Sequence, residues 1–276
     1  MDGSFPLDRY LARIGLADRP SANLAGLRRL QCAQVRSIPF EGLDPFLGLT
    51  VSLEQTDIVS KLLNSPRGGY CFELNTLLQA ALKSLGFVVT AHTARVRWNA
   101  APESPMGPRE HMVLCVETES GPFLADAGFG ACLLDEPLPL TKAEHRTAMA
   151  HYRLEEIQGA YYLSANTPSG WRTAYVFDLV PQLDADFRLG NWYTSTHPDV
   201  PFKRFAIVER LAESERHKLV NSRYIVEGPN GVVKSETVLE SPEKLEETLR
   251  QIFGISLPVP TGDFFDLVKA KESAAH

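Results

Sequence analysis

Cys71 stands in "SPRGGYCFELNTLL", residues 65–78, where a glycine pair leads into a cysteine that opens an apolar run of helical spacing. A thiol in the first turn of a helix faces unpaired backbone N–H groups and the positive end of the helix dipole. Both favour the nucleophilic thiolate. The preceding Gly68 and Gly69 can adopt positive φ and let a substrate approach the backbone closely. The same letters also suit a tight turn followed by a buried cysteine, because lone cysteines serve packing more often than chemistry.

A catalytic thiol needs a base, and the chain offers seven histidines: His92, His111, His145, His151, His197, His217 and the terminal His276. His111 begins the strand-like "HMVLCVET" directly after the Pro/Gly loop "NAAPESPMGPRE", and strand ends beside long loops are where side chains point into clefts. A turn then leads into a second strand-like run, "PFLADAGF", whose lone acid is Asp126. With Thr118 facing Gly121 across the hairpin, Val113 faces Asp126 and Met112 faces Ala127. That register puts His111 and Asp126 on one sheet face as diagonal neighbours, roughly 7–8 Å apart at the backbone and within side-chain reach.

A buried Asp126 would orient the imidazole and stabilise the imidazolium formed when the ring takes the thiol proton. Read alone, it also fits a turn former ahead of Gly128. Taken together, a helix-start cysteine, a strand-start histidine and an acid on the neighbouring strand form the constellation for acyl transfer through a thioester. Spacing leaves hydrolysis and transfer both open, since the outcome depends on whether water or another nucleophile reaches the acyl-enzyme.

Three zones must position these groups. Up to about residue 86 the spacing is helical: Leu7, Tyr10, Leu11 and Ile14 share a face, Ser21 is placed to cap a second helix, "LEQTDIVSKLLNS" predicts a third, and the Cys71 helix stops at Gly86. From Phe87 to about Val180, alternating and β-branched segments predict an antiparallel sheet or small barrel. The remainder mixes a short helix near "DADFRLGNWYT", strands at "RFAIVERL", "SRYIVEG" and "GVVKSETV" with a "GPNG" turn, and a helix capped by Ser241.

The 276 residues, 44% hydrophobic and 22% charged, suffice for a sizeable core, and a net charge of −6 with scattered cations argues against a nucleic-acid partner or a polybasic membrane surface. The N-terminal stretch lacks the basic and apolar regions of a signal peptide, and no apolar run is long enough to span a bilayer, so the expectation is a cytoplasmic protein. Four scattered cysteines, Cys32, Cys71, Cys115 and Cys132, predict free thiols and no metal site.

"YLARIGL", "IPFEGLD" (38–44), "RGGYCFELN" (67–75), "REHMVLCV" (109–116), "DAGFG" (126–130) and "STHPDVPF" (195–202) occur in the order of the arylamine N-acetyltransferase family, which the chain resembles over most of residues 8–202. The resemblance implies an α+β fold: an N-terminal helical bundle (1–86) carrying the nucleophile, a central antiparallel β-barrel-like domain (87–196) carrying the histidine and the acid, and a C-terminal α/β lid (197–276). They surround a cysteine-protease-like catalytic core. It further implies a Cys71, His111, Asp126 triad, acetyl-CoA as acetyl donor, and arylamines, arylhydroxylamines or arylhydrazines as acceptors in a ping-pong cycle. No metal, nucleic acid or membrane is implied, and no oligomeric state is set.

By the same resemblance, Gly128, Phe129 and Gly130 lie against the CoA pyrophosphate, Phe202 packs on CoA, and Glu41 with Arg67 forms an ion pair bracing the loop before the nucleophile. Two positions depart from the family pattern. Gly42 stands where Asn is usual, and Glu110 precedes the histidine where bacterial members often carry Thr, so a carboxylate could repel a nearby phosphate. A macrolactam-type amide synthase, a cysteine-dependent hydrolase and a non-catalytic CoA-binding protein are the alternatives carried forward.

Overall fold

The apolar spacing of the first zone folds into α1 (Leu7–Arg13), α2 (Leu24–Ser37), α3 (Leu43–Leu47), α4 (Gln55–Asn64) and α5 (Cys71–Ser84). The computed structural model describes residues 5–101 and 103–274, so His276 lies outside the described residues. α2 is capped by Asn23, not Ser21: the Asn23 N–H donates to the Ser21 carbonyl in a tight turn, and the Asn23 side chain accepts from the Gly26 N–H at 2.9 Å. The turn delays helix entry by two residues and leaves Asn23 at the capping position. α5 buries Leu74, Leu77, Leu78, Ala81 and Leu82 and ends where Gly86 takes a φ of 89°.

The first zone is not purely helical. Pro39 cannot continue α2, and the extended Phe40–Glu41 that follows (β1) pairs with a strand more than 160 residues later, Glu209 facing Phe40. Leu43 and Phe46 of α3 likewise pack in the core of the C-terminal segment.

The middle zone is an eight-stranded antiparallel sheet: β2 (Val88–Val96), β3 (His111–Thr118), β4 (Gly121–Ala125), β5 (Leu138–Pro139), β6 (Ala143–Arg146), β7 (His151–Ile157), β8 (Ala160–Thr167) and β9 (Gly170–Phe177), in spatial order β5-β4-β3-β2-β9-β8-β7-β6. Its edge strands β5 and β6 are chain neighbours, so the sheet curls into a nearly closed barrel. The β3–β4 hairpin pairs Thr118 with Gly121 and Leu114 with Ala125, the register expected from the sequence. The difference is that β4 ends at Ala125, so Asp126 lies one residue past the strand, where Ala127 and Gly128 turn toward α5.

Strand alternation sorts the two faces. Met112, Leu114, Val116, Phe123 and Ala125 pack on the helices, while Val113 and Leu124 fill the barrel with Phe129, Tyr152, Leu163 and Tyr175. His111 and Asp126 share the parity of the barrel-facing set.

Next come α6 (Asp184–Thr196), α7 (Pro201–Arg204), β10 (Ile207–Leu211), β11 (Arg216–Val220), β12 (Arg223–Glu227), β13 (Val233–Val238), α8 (Pro242–Thr248) and α9 (Thr261–Ala274). The five-stranded sheet β1-β10-β11-β12-β13 thus unites the two ends of the chain. The "GPNG" turn joins β12 to β13 as expected, and Ser241 caps α8. No helix among the described residues is long and apolar enough to cross a membrane.

Candidate active site

Tyr70, in extended conformation, is the N-cap of α5, and the Glu73 carboxylate accepts its backbone N–H at 3.1 Å, half of a capping box. The loop that delivers Cys71 is held by a buried charge network. Arg67 donates to both carboxylate oxygens of Glu41 at 2.7 and 3.0 Å and to Asp44 at 2.6 Å; Lys61 joins Asp44 at 2.6 Å and Glu73 at 2.8 Å. Glu41 also accepts the Gly68 and Leu43 N–H groups. Breaking one partner would leave a buried charge uncompensated, so the network fixes the loop whatever its net contribution to stability.

Neither Gly68 nor Gly69 adopts the positive φ expected from the sequence. They serve close approach instead: a Cβ at 68 would sit 2.1 Å from the Pro39 carbonyl oxygen, and one at 69 would meet the Glu73 side chain.

Cys71 is 4% exposed, and its thiol donates to the Glu110 carbonyl oxygen at 3.8 Å. Burial pushes the thiol well up from its ordinary range, and the negative charge of Asp126 adds to this, while the backbone N–H groups of Phe72 and Met112 pull it down. The closed site therefore favours the neutral thiol as a hydrogen-bond donor, and ionisation has to be coupled to a base.

His111, at the start of β3, is the titratable ring that lines the same cavity as Cys71. Its Nε2–H donates to Asp126 Oδ2 at 2.7 Å; since a carboxylate only accepts, the lone pair of the neutral ring resides on Nδ1. The ring is walled by Phe129 and Tyr175, with centroids at 5.1 and 4.9 Å. Burial works against ionisation of Asp126, but His111, the Asn75 amide and the Gly128 N–H together hold its carboxyl below the usual range.

Asn75 is the residue that sequence reasoning passed over. One helical turn after Cys71, its amide donates to Asp126 Oδ1 at 2.8 Å and to the Met112 carbonyl at 2.7 Å, and its oxygen accepts the Ala127 N–H at 2.9 Å. Its signal was available: positions i and i+4 share a helix face, so an asparagine there follows the cysteine into the same site. Gly128 lets this happen, because a Cβ would lie 2.6 Å from Cys71 Cα.

Cys71, His111, Gly128, Phe129, Gly130 and Phe202 line one cavity of about 160 Å3, with Asp126 directly behind His111. None of the other described histidines lines it; His92, for one, is bonded to Thr90 and the Val180 carbonyl. A larger cleft of about 400 Å3, bounded by Thr76, Gln79, Lys83 and Arg188, holds none of the three polar groups. Phe202 packs edge-on to Tyr70 and against Phe40, and its ring occupies the space a side chain at 42 would need: a Cβ there would stand 2.4 Å from Phe202 Cδ1. The glycine at 42 and the ring at 202 are therefore one packing solution.

Two acids, Glu110 and Glu209, also face this cavity. Burial raises the Glu110 carboxyl, and the adjacent His111 opposes the rise.

Residues 23–261 match the family model described as N-acetyltransferase. An arylamine N-acetyltransferase of Mycolicibacterium smegmatis is 37% identical over 217 residues, covering 77% of this chain and 79% of that one. The solved structure of the arylamine N-acetyltransferase of Salmonella typhimurium superposes with a TM-score of 0.89 at 29% identity over 96% of this chain and 98% of that one. The Mycobacterium marinum arylamine N-acetyltransferase in complex with CoA gives a TM-score of 0.86 at 30% identity, covering 96% and 97%.

Proposed function

The chain belongs to the arylamine N-acetyltransferase family, and from that premise we propose that it moves an acetyl group from acetyl-CoA to the nitrogen of an arylamine or arylhydrazine, and to the oxygen of an arylhydroxylamine, through an acetyl-Cys71 intermediate. The convergence of Cys71, His111 and Asp126 at one small cavity carries this reading, as the order and roles of a cysteine-protease-like core.

In the first half-reaction His111 Nδ1 takes the Cys71 proton as Sγ attacks the thioester carbonyl, and Asp126 stabilises the imidazolium. Backbone N–H groups at the start of α5 are the candidate oxyanion donors. That of Cys71 makes no hydrogen bond among the described residues. His111 then hands its proton to the departing CoA thiolate. In the second half-reaction the acceptor amine attacks the acetyl carbon, His111 takes the amine proton, and Cys71 leaves as the thiol once that proton returns. An aromatic amine suits this step because it is neutral at pH 7.

Gly128, Phe129, Gly130 and Phe202 are assigned to the CoA side of the cavity, and Lys203 and Arg204, beside Phe202 on α7, supply cations for an anionic cofactor. The segments 1–86, 87–196 and 197–276 serve as nucleophile bundle, base-bearing barrel and lid, in a protein working in the cytoplasm. The small cavity disfavours the long acyl chains of a macrolactam synthase.

Mass spectrometry after incubation with acetyl-CoA tests the scheme. An acetyl adduct is expected on Cys71, discharged by an arylamine and absent in Cys71→Ala. An adduct on another cysteine, or rapid discharge by water alone, sinks it.

A further inference from the structure

Glu209 is 3% exposed, sits on β10 opposite Phe40, and lines the same cavity as Cys71 and His111. Its Oε1 stands 3.9 Å from Lys218 Nζ, but its buried Oε2 has no hydrogen-bond partner among the described residues. A buried carboxylate oxygen left unpaired is costly, and native proteins rarely keep one without a purpose. The neighbouring cations Lys218 and Arg216, whose charges act on Glu209, have other partners as well. Lys218 also reaches Glu227 at 3.3 Å, and Arg216 donates to the Ala131 carbonyl at 2.7 Å and lies 3.8 Å from Glu227.

We propose that Glu209 is a specificity-determining residue that binds a hydrogen-bond donor on the acceptor's aromatic ring, so that the enzyme favours hydroxyl- or amino-substituted arylamines and rejects ring carboxylates. The inference rests on the acetyl-transfer reading and adds the acceptor class. Phe40, Val96, Trp98, Phe129, Phe202 and Ile207 give the wall a large apolar and aromatic area that suits a ring face, alongside the uncharged polar side chains of Asn99 and Thr194. The cavity is also smaller than the roughly 300–1,000 Å3 of drug-sized sites, so a single ring with its amine at Cys71 brings its own substituents against these walls. Glu110, the other carboxyl on the wall, adds to the repulsion of an anionic substituent. The pantetheine amides of the acetyl donor are the other source of N–H groups, and they act in the first half-reaction.

The test uses the intact protein at pH 8, where Glu209 is ionised. Acetylation of Cys71 by acetyl-CoA is followed first, by mass spectrometry. Discharge of the acetyl-enzyme is then timed with 4-aminophenol, 4-methoxyaniline and 4-aminobenzoate. Comparing ratios of kcat/KM between wild type and variant cancels the intrinsic reactivity of each amine. Glu209→Leu is expected to lower the aminophenol-to-methoxyaniline ratio about 10-fold, the size of a lost hydrogen bond to a charged group.

Glu209→Gln, which keeps shape and acceptor oxygen, is expected to retain that preference while raising turnover of 4-aminobenzoate relative to the other two. Ratios unchanged in both variants overturn the proposal. So does a change confined to the KM for acetyl-CoA, which would assign the carboxylate to the pantetheine arm. Failure of the wild type to form the acetyl adduct fails the underlying reading instead, and is seen before any acceptor is added.

Discussion

Asn75 holds the carboxylate that orients the His111 ring. It spans α5, β3 and the turn after β4 with three hydrogen bonds, and its loss leaves the Ala127 N–H and the Met112 carbonyl unpaired and Asp126 Oδ1 with only the Gly128 N–H. Asn75→Ala is expected to slow acetylation of Cys71 about 10- to 100-fold and to cost roughly 2–3 kcal/mol of stability. As a positioning residue it should also shift the pH profile of acetylation, because His111 would lose a fixed partner orientation. A lowered melting temperature with an unchanged rate and pH profile would make the residue purely structural. Cys71 and His111 were legible as chemistry because each opens an element, and element openings leave marks in the letters: the glycine pair before one, the Pro/Gly loop before the other. Glu209 left a fainter mark, a lone acid inside the apolar strand "RFAIVERL".

Between elements, the critical contact is the turn of 126–130 against the first turn of α5. Gly128→Ala would drive a Cβ into Cys71 Cα at 2.6 Å, a backbone atom with no rotamer to escape through. The expected result is loss of acetylation by about 100-fold or more, since angstrom-scale misplacement of a reacting atom has that effect. Gly107→Ala, where a Cβ meets nothing within 4 Å, is the control and should acetylate normally. Equal rates in the two variants would show that the turn does not set the nucleophile's position. The hairpin register was legible because a short turn fixes strand pairing locally. The end of β4 at Ala125 was not, because Asn75, from a distant helix, captures the Ala127 N–H that a longer strand would have used.

Over the whole molecule, the sheet that joins β1 to β10 carries Glu209 into the interior, and global stability should register it. Burial pushes its carboxyl up from 4.5 to about 7, against the pull of Lys218 and Arg216. The native state thus keeps a proton that the unfolded chain has lost, so stability falls as pH rises from about 4.5 to about 7 and levels off above. Glu209→Gln removes this dependence. Its stability relative to wild type should improve by about 2–3 kcal/mol between pH 5 and pH 8 in denaturant titrations, and a constant difference across that range would contradict the shift.

The sequence by itself determined the helical opening, the antiparallel middle and the placing of a helix-start cysteine, a strand-start histidine and the acid that histidine bonds. All of these rest on helical and strand periodicity, caps and a hairpin, interactions among residues close along the chain. Only the tertiary structure decided that Phe40 and Glu41 leave the helices to pair with β10, that Phe202 fills the space above Gly42, and that Glu209 faces the same cavity as Cys71. These partners lie more than 130 residues apart, and closing such loops is favourable only once the separate apolar faces bury one another. No local pattern of residues encodes which distant faces will meet.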